Sequence, residues 1–232
     1  GAMQGGSRSK IGRWLLSRAN SIIAVSKSNR REIIENGKVL PRKVKLIYNA
    51  IPEITPIAYN KKKNQVITVG EINEETYLRK GLDRFIQVAE KMKNLQFFHI
   101  GKWTDNQGRT NFKMIEYVKS ISPPNINYLG YVDKKELEKY YEESKIYLQL
   151  SRHEAFGVSV IEAMKYNCIP IVTNAFALPE VVGKCGYIIQ NKIQCINLIK
   201  RLITDDSPMS IKINPKFDLK SRKESFKKLL SN

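Results

Sequence analysis

The stretch Ser151-Arg152-His153-Glu154-Ala155-Phe156-Gly157-Val158-Ser159-Val160-Ile161-Glu162 sets two carboxylates eight positions apart with a glycine between them. Along a helix that spacing covers ~12 Å. Two carboxylates acting on one glycosidic bond lie only ~5–9.5 Å apart, so Glu154 and Glu162 do not suit that chemistry. The spacing fits two ends of one extended ligand, such as a nucleoside diphosphate sugar, with one carboxylate at the sugar and the other at the ribose hydroxyls. Gly157 falls where the next helix should begin. A helix N-terminus offers unpaired N–H groups and a partial positive charge, and both attract an anion. Lys80, within Arg79-Lys80-Gly81, opens a second helix. One ammonium and a row of backbone amides would clamp a diphosphate without a metal. Two glutamates on one helix are also what a solvated face looks like, so spacing alone leaves both readings open.

The elements that must position these residues follow from hydropathy patterning. Short apolar runs at 66–69, 96–100, 126–129, 146–150, 169–172 and 187–189 alternate with helical patterns near 82–92, 112–118, 134–142, 158–166 and 193–203, with a short segment at 179–182. Such alternation predicts an α/β fold, a doubly wound, Rossmann-like six-stranded parallel sheet with order 3-2-1-4-5-6. Ligands in such sheets bind at the carboxyl ends of the strands where the order reverses. That places the site just after Val69, at Gly70, and just after Leu150, at Ser151. The Gly70–Asn73 stretch reads as a polar loop running on to the Lys80 helix. Upstream, 10–16 and 27–35 read as helices and 22–25 and 44–48 as strands. Residues 49–64 are rich in Pro and Lys without periodicity, which marks a linker. A last helix is expected over 219–230.

The formal charge is +18 over 232 residues, with 42% hydrophobic residues. This excludes a disordered or collagen-like chain. No apolar run reaches the ~18 residues of a membrane span. The charge is uneven: net +11 over residues 1–63, +2 over 64–211 and +5 over 212–232. A nucleic-acid reader should carry its basic excess on the folded middle, so no nucleic-acid partner is expected. Basic ends suit solvated helix faces or a peripheral anionic membrane. Cys168, Cys185 and Cys195 have no metal spacing and read as reduced thiols of a cytoplasmic protein; a Cys185–Cys195 bridge is allowed by spacing alone. His99 reads as a satisfied core histidine, His153 as a cleft-lining loop residue, Trp14 as helix packing and Trp103 as a strand-end residue that can stack on a sugar or base. Two histidines without matching carboxylates give no metal site.

The segment S-R-H-E-A-F-G-V-S-V-I-E-A-M over 151–164 resembles the signature of retaining GT-B glycosyltransferases of the large family 4. Val69-Gly70 with Lys80-Gly81, Tyr128-Leu129-Gly130-Tyr131-Val132, Pro179-Glu180-Val181-Val182, Ile23-Ala24-Val25-Ser26 and Ile47-Tyr48-Asn49-Ala50-Ile51 resemble further motifs of that family in the same order. The resemblance implies a hexosyltransferase that moves a sugar from a UDP-, GDP- or ADP-sugar with retention of configuration and no cofactor. It implies that Glu154 is catalytic at the transferred sugar and Lys80 binds the diphosphate. Ser151, Phe156, Gly157 and Val158 would offer groups to sugar and phosphate, Glu162 would hold the ribose, and Gly130 and Tyr131 would lie beside the base. Gly70 and Arg79 complete the donor site. The family's arginine after V-G is Glu71 here, which removes one cation; Arg79 or Lys102 can take its place. The N-G-I glycine is Ala50.

The resemblance also divides the chain. Residues 1–3 have the character of a cloning scar. Residues 4–51 are expected to be the remnant of an N-terminal Rossmann-like domain, 52–64 a linker, 65–214 the nucleotide-sugar-binding domain and 215–232 a helix crossing back to the N-terminal half. This makes the chain the donor-binding part of an enzyme whose acceptor-binding domain is its missing partner, with weak or no transfer by itself. The remnant strands are expected to stay out of the main sheet. The alternative is a non-catalytic basic module for nucleotide, RNA or anionic membrane. A nucleotide-sugar epimerase of related architecture fits the E-x7-E spacing and the A-F-G loop less well.

Overall fold

The computed structural model describes residues 10–52, 62–205 and 211–231. The scar at 1–3 and linker residues 53–61 lie outside them.

Apolar strand runs alternate with amphipathic helices from residue 63 onward, and parallel pairing follows. The strands are β3 (Lys63–Val69), β4 (Gln96–Ile100), β5 (Ile126–Gly130), β6 (Ser144–Gln149), β7 (Ile169–Thr173) and β8 (Tyr187–Ile189). They form one sheet in the order β5-β4-β3-β6-β7-β8 with every pair parallel. Counted from β3, that is the expected 3-2-1-4-5-6. β6 is buried along its whole length, as a central strand covered on both faces should be.

The helices are α3 (Glu74–Arg79), α4 (Leu82–Glu90), α5 (Phe112–Ser120), α6 (Lys134–Glu143), α7 (Val158–Lys165), α8 (Leu178–Val182) and α9 (Lys192–Thr204). Two apolar layers sandwich the sheet. One gathers Phe85, Val88, Phe97, Leu148 and Ile199, the other Ile67, Tyr147, Val160, Ile161 and Val172.

Several expectations are corrected. The strand begins at Lys63, inside the proposed linker, because the preceding lysine is anchored: Lys62 Nζ donates to the Tyr141 carbonyl at 2.9 Å and to that of Tyr166. The stretch before Lys80 is not all loop. Asn73 and Thr76 form a reciprocal capping box that nucleates α3, a signal carried by two short polar side chains. Trp103 is buried against His99 and Tyr128 and presents no stacking face. Trp14 is 54% exposed, with the Arg18 guanidinium over its ring, so it is not helix packing. The three cysteines are free thiols.

Upstream, α1 (Lys10–Arg18), β1 (Ile22–Ala24), α2 (Lys27–Gly37) and β2 (Val44–Leu46) form a small unit whose two strands pair in parallel with each other and not with the main sheet. The last helix, α10 (Leu219–Leu230), lies beside it. Arg222 donates to the Asn49 side chain at 2.5 Å and to the Tyr48 carbonyl at 3.3 Å. Ser225, Lys228 and Leu229 share a groove with Arg30, Arg42 and Lys45. No described helix is long and apolar enough to cross a membrane.

Candidate active site

The order reverses between β3 and β6, and two turns face each other there. After β3, the chain runs through Gly70 and α3 to Lys80-Gly81. After β6 comes Ser151 to Gly157. The turns are sewn together. Arg152 N–H donates to the Arg79 carbonyl at 2.8 Å, and its guanidinium forks onto Asp83 at 2.7 and 2.6 Å. Neither Arg152 nor Asp83 was singled out in the sequence, although an Arg beside a motif glutamate invites a search for its carboxylate.

Lys80 Nζ lies 3.4 Å from Glu154 Oε2, and both side chains are largely shielded. The Lys80 stem lies against Gly70, where an added Cβ would come within 3.2 Å of Lys80 Cδ. Ser151 is buried, and its hydroxyl takes the Gln149 amide at 2.6 Å. The buried Tyr147 hydroxyl lies 2.8 Å from both Gln149 Oε1 and Ser159 Oγ. This polar chain under the turn ties the end of β6 to α7. Polar Gln149 within an apolar strand was the one sequence sign of it.

The helices that open on the crevice begin differently from their neighbours. α3, α5, α6 and α9 each start at an Asn or Asp side chain that caps a first-turn N–H. α4 and α7 start at Gly81 and Gly157, both with positive φ and neither with a side-chain cap; the short α8 also lacks such a cap but starts at Ala177 with an ordinary negative φ. Apart from Val160 N–H, which donates to the Gly157 carbonyl at 3.2 Å, the first-turn N–H groups of α4 and α7 have no side-chain partner and can meet an anion. Phe156 turns its ring into the core against Tyr48 and Phe217, so only its backbone faces the turn. Val158 is partly exposed at the start of α7.

Glu162 is not brought to Lys80. The buried residues of α7, Val160, Ile161, Ala163 and Met164, take the sheet side. Glu162 lines a separate cavity with Lys134, Glu138 and Tyr141. Burial raises its carboxyl above the usual range, opposed by the Tyr141 hydroxyl and the Lys134 ammonium. Gly130 closes β5 with positive φ, and Tyr131 is 70% exposed with Lys102 Nζ 5.0 Å over its ring. Glu71 takes the Thr104 hydroxyl at 2.5 Å. Arg79 is half-buried at the end of α3, with its Nε unpartnered.

His99 corrects another expectation. It is buried, but neither ring nitrogen has an aligned partner, and it lines the cavity of Gly70, Lys80 and Gly81. Burial pushes its pKa down to about 4; the Gly70 backbone opposes this and the Lys80 ammonium adds to it. The folded chain keeps His99 neutral, whereas the unfolded chain takes up a proton below about pH 6.5. Stability is thus intact above that pH and falls as pH drops toward 4, by at most ~1.4 kcal/mol per unit. Urea unfolding between pH 7 and 4.5 should decline less steeply for His99→Phe than for wild type; equal slopes would contradict this.

His153, a loop residue beside Glu154, pairs with Glu32 at 3.2 Å and packs on Phe176. Among the described residues no three His, Cys, Asp or Glu side chains converge as a metal site would require.

The sequence profile of a family described as glycosyl transferases group 1 matches residues 52–216. A Klebsiella pneumoniae protein known as an uncharacterized 41.2 kDa protein in the cps region is 28% identical over 184 residues, 75% of this chain and 48% of its own length. O-antigen chain mannosyltransferase B of Escherichia coli is 34% identical over 84 residues, 35% of this chain and 22% of its own. The chain thus spans about half or less of these curated relatives. Among solved structures, Anabaena HepE in complex with UDP superposes with a TM-score of 0.77 at 17% identity, over 95% of this chain and 66% of that one. TarM gives 0.68 at 19%, over 95% and 43%. At such identities the likeness is one of fold, that of the Rossmann-like domains of GT-B glycosyltransferases.

Proposed function

This chain belongs to the glycosyl transferases group 1 family, and from that footing we propose that it binds a nucleoside diphosphate sugar and serves hexosyl transfer with retention of configuration. The observation that carries the reading is the Lys80–Glu154 pair, 3.4 Å apart between two helices whose N-termini lack side-chain caps. A diphosphate entering there would take over the Lys80 ammonium and the first-turn N–H groups of α7. Glu154, released from Lys80, would then accept hydroxyl protons of the transferred sugar. Carboxylate acceptance from paired hydroxyls gives Glu162 the ribose and leaves Gly130 and Tyr131 to the base. Gly70, Arg79, Ser151, Phe156, Gly157 and Val158 complete the donor site. One ammonium and backbone dipoles meet the phosphate charge in this reading, so no metal is assigned a role. The acceptor would be held by a domain beyond the donor-binding part, consistent with the half-length match to the Klebsiella relative.

UDP is the first ligand to test, because HepE was solved with it; GDP and ADP follow. Thermal unfolding with each should reveal one base that raises Tm, since a ligand at 100 times its Kd adds about 2.7 kcal/mol. The rise should persist in EDTA. No rise with any of the three diphosphates would contradict donor binding, and a rise abolished by EDTA would contradict metal-free clamping.

A further inference from the structure

Both sequence neighbours of Glu154 are held by one helix that lies outside the family match. Ser26, the N-cap of α2, is fully buried. Its Oγ accepts from Asn29 N–H at 2.9 Å and donates to the Ala155 carbonyl at 2.8 Å. Two turns further along α2, Glu32 Oε1 lies 3.2 Å from His153 Nε2, with both side chains largely shielded. The same helix grips the opposing turn. Ser28 Oγ donates to the Phe176 carbonyl at 2.9 Å, and Lys27 N–H donates to Glu180 Oε2 at 2.9 Å. Glu180 also takes the Tyr48 hydroxyl. The Glu154 carbonyl itself accepts from Ala177 N–H at 3.2 Å.

From this we infer that α2 fixes the conformation of the Glu154 loop, with Ser26 and Glu32 as positioning residues. Neither side chain hydrogen-bonds Glu154 itself; each acts through a neighbour, alongside the loop's other anchors, the Ala177 N–H on the Glu154 carbonyl, the Arg152 fork on Asp83 and the Phe156 ring in the core. The Ala155 carbonyl is partly buried, so losing its donor is costly, and a loop can recover that cost by moving toward water. The inference rests on the proposed role of Glu154 only for its effect on ligand, not for its effect on the loop.

The test separates these two. Amide hydrogen exchange is measured on the full 232-residue chain without ligand, for wild type, Ser26→Ala, Ser26→Thr and Ser120→Ala. Calorimetry with UDP and with UDP-glucose follows. The readout is the Ala177 amide, which donates to the Glu154 carbonyl. Ser26→Ala should speed its exchange about tenfold while β6 and β7 stay protected. Ser26→Thr should restore protection, and Ser120→Ala, whose hydroxyl bonds the Tyr117 carbonyl at the end of α5, should leave it unchanged. UDP affinity should stay within about twofold in Ser26→Ala, and any advantage of UDP-glucose over UDP should be lost. Wild-type exchange at Ala177 in Ser26→Ala overturns the inference, and so does faster exchange spread equally over β6 and β7. If Ser26→Ala fails to fold, Glu32→Gln decides by the same readout. Should wild type bind neither UDP nor UDP-glucose, the donor reading falls for that base, and the exchange result still decides the positioning.

Discussion

Gly81→Ala should lower stability by about 4 kcal/mol, roughly 8–16 °C in Tm for a chain of this size. Gly81 has φ +75, and an added Cβ would sit 2.0 Å from the Leu150 carbonyl oxygen. Two costs combine there. A left-handed conformation is unfavourable for any residue with a Cβ, and a backbone carbonyl at the end of a buried strand cannot step aside as a flexible side chain could. The turn bearing Lys80 must lift from the end of β6, taking the ammonium from Glu154. Gly108→Ala is the comparison. Its φ is +77, but nothing lies within 4 Å of its Cβ position, so it should lose only about 1 kcal/mol. Thermal unfolding of the two variants checks this. A Gly81→Ala loss no larger than that of Gly108→Ala would mean that the two turns are not in the contact described.

Lys80→Ala should weaken nucleoside diphosphate binding by about 2–3 kcal/mol, roughly 30- to 150-fold in Kd. Hydrogen bonds to a charged partner are the stronger class, and the side chain is shielded from water, so screening is modest. Two effects oppose each other. The variant loses the ammonium that would meet the phosphates, but the free protein no longer has to break the Lys80–Glu154 pair. The pair, at 3.4 Å, is a long contact, and the phosphate carries more charge than one carboxylate. The loss should therefore prevail. Calorimetry on wild type, Lys80→Ala and Lys80→Arg checks it, with the arginine recovering part of the affinity. An unchanged Kd in Lys80→Ala would move the phosphate role to Arg79 or Lys102.

Most of the sheet was legible because its strands are short, apolar and punctuated, and burial on both faces leaves little else for such runs to do. The reversal of order then located the crevice, and Lys80, Glu154, Gly70 and Ser151 do meet there. What the sequence could not convey were bonds made by polar side chains over long separations. The capping box of Asn73 and Thr76 looks like ordinary loop composition, so α3 was missed. The Arg152–Asp83 fork joins residues far apart in sequence, and nothing local signals it. The surroundings of Glu162 were not legible, because spacing along a helix gives distance but not the wall that a side chain meets; Glu138 and Tyr141 of α6 supply that wall. The core ring of Phe156 was hidden for the same reason, since Tyr48 and Phe217 come from opposite ends of the chain.

The central claim is that a diphosphate sits between Lys80 and the first turn of α7. A crystal structure of the chain grown with the nucleoside diphosphate that raises its Tm tests this most directly. The account predicts phosphate oxygens on Lys80 Nζ and on the N–H groups that follow Gly157, with Glu154 withdrawn from Lys80. A diphosphate bound elsewhere, such as in the cavity lined by Arg84 and Asn191, with the Lys80–Glu154 pair intact, would contradict it.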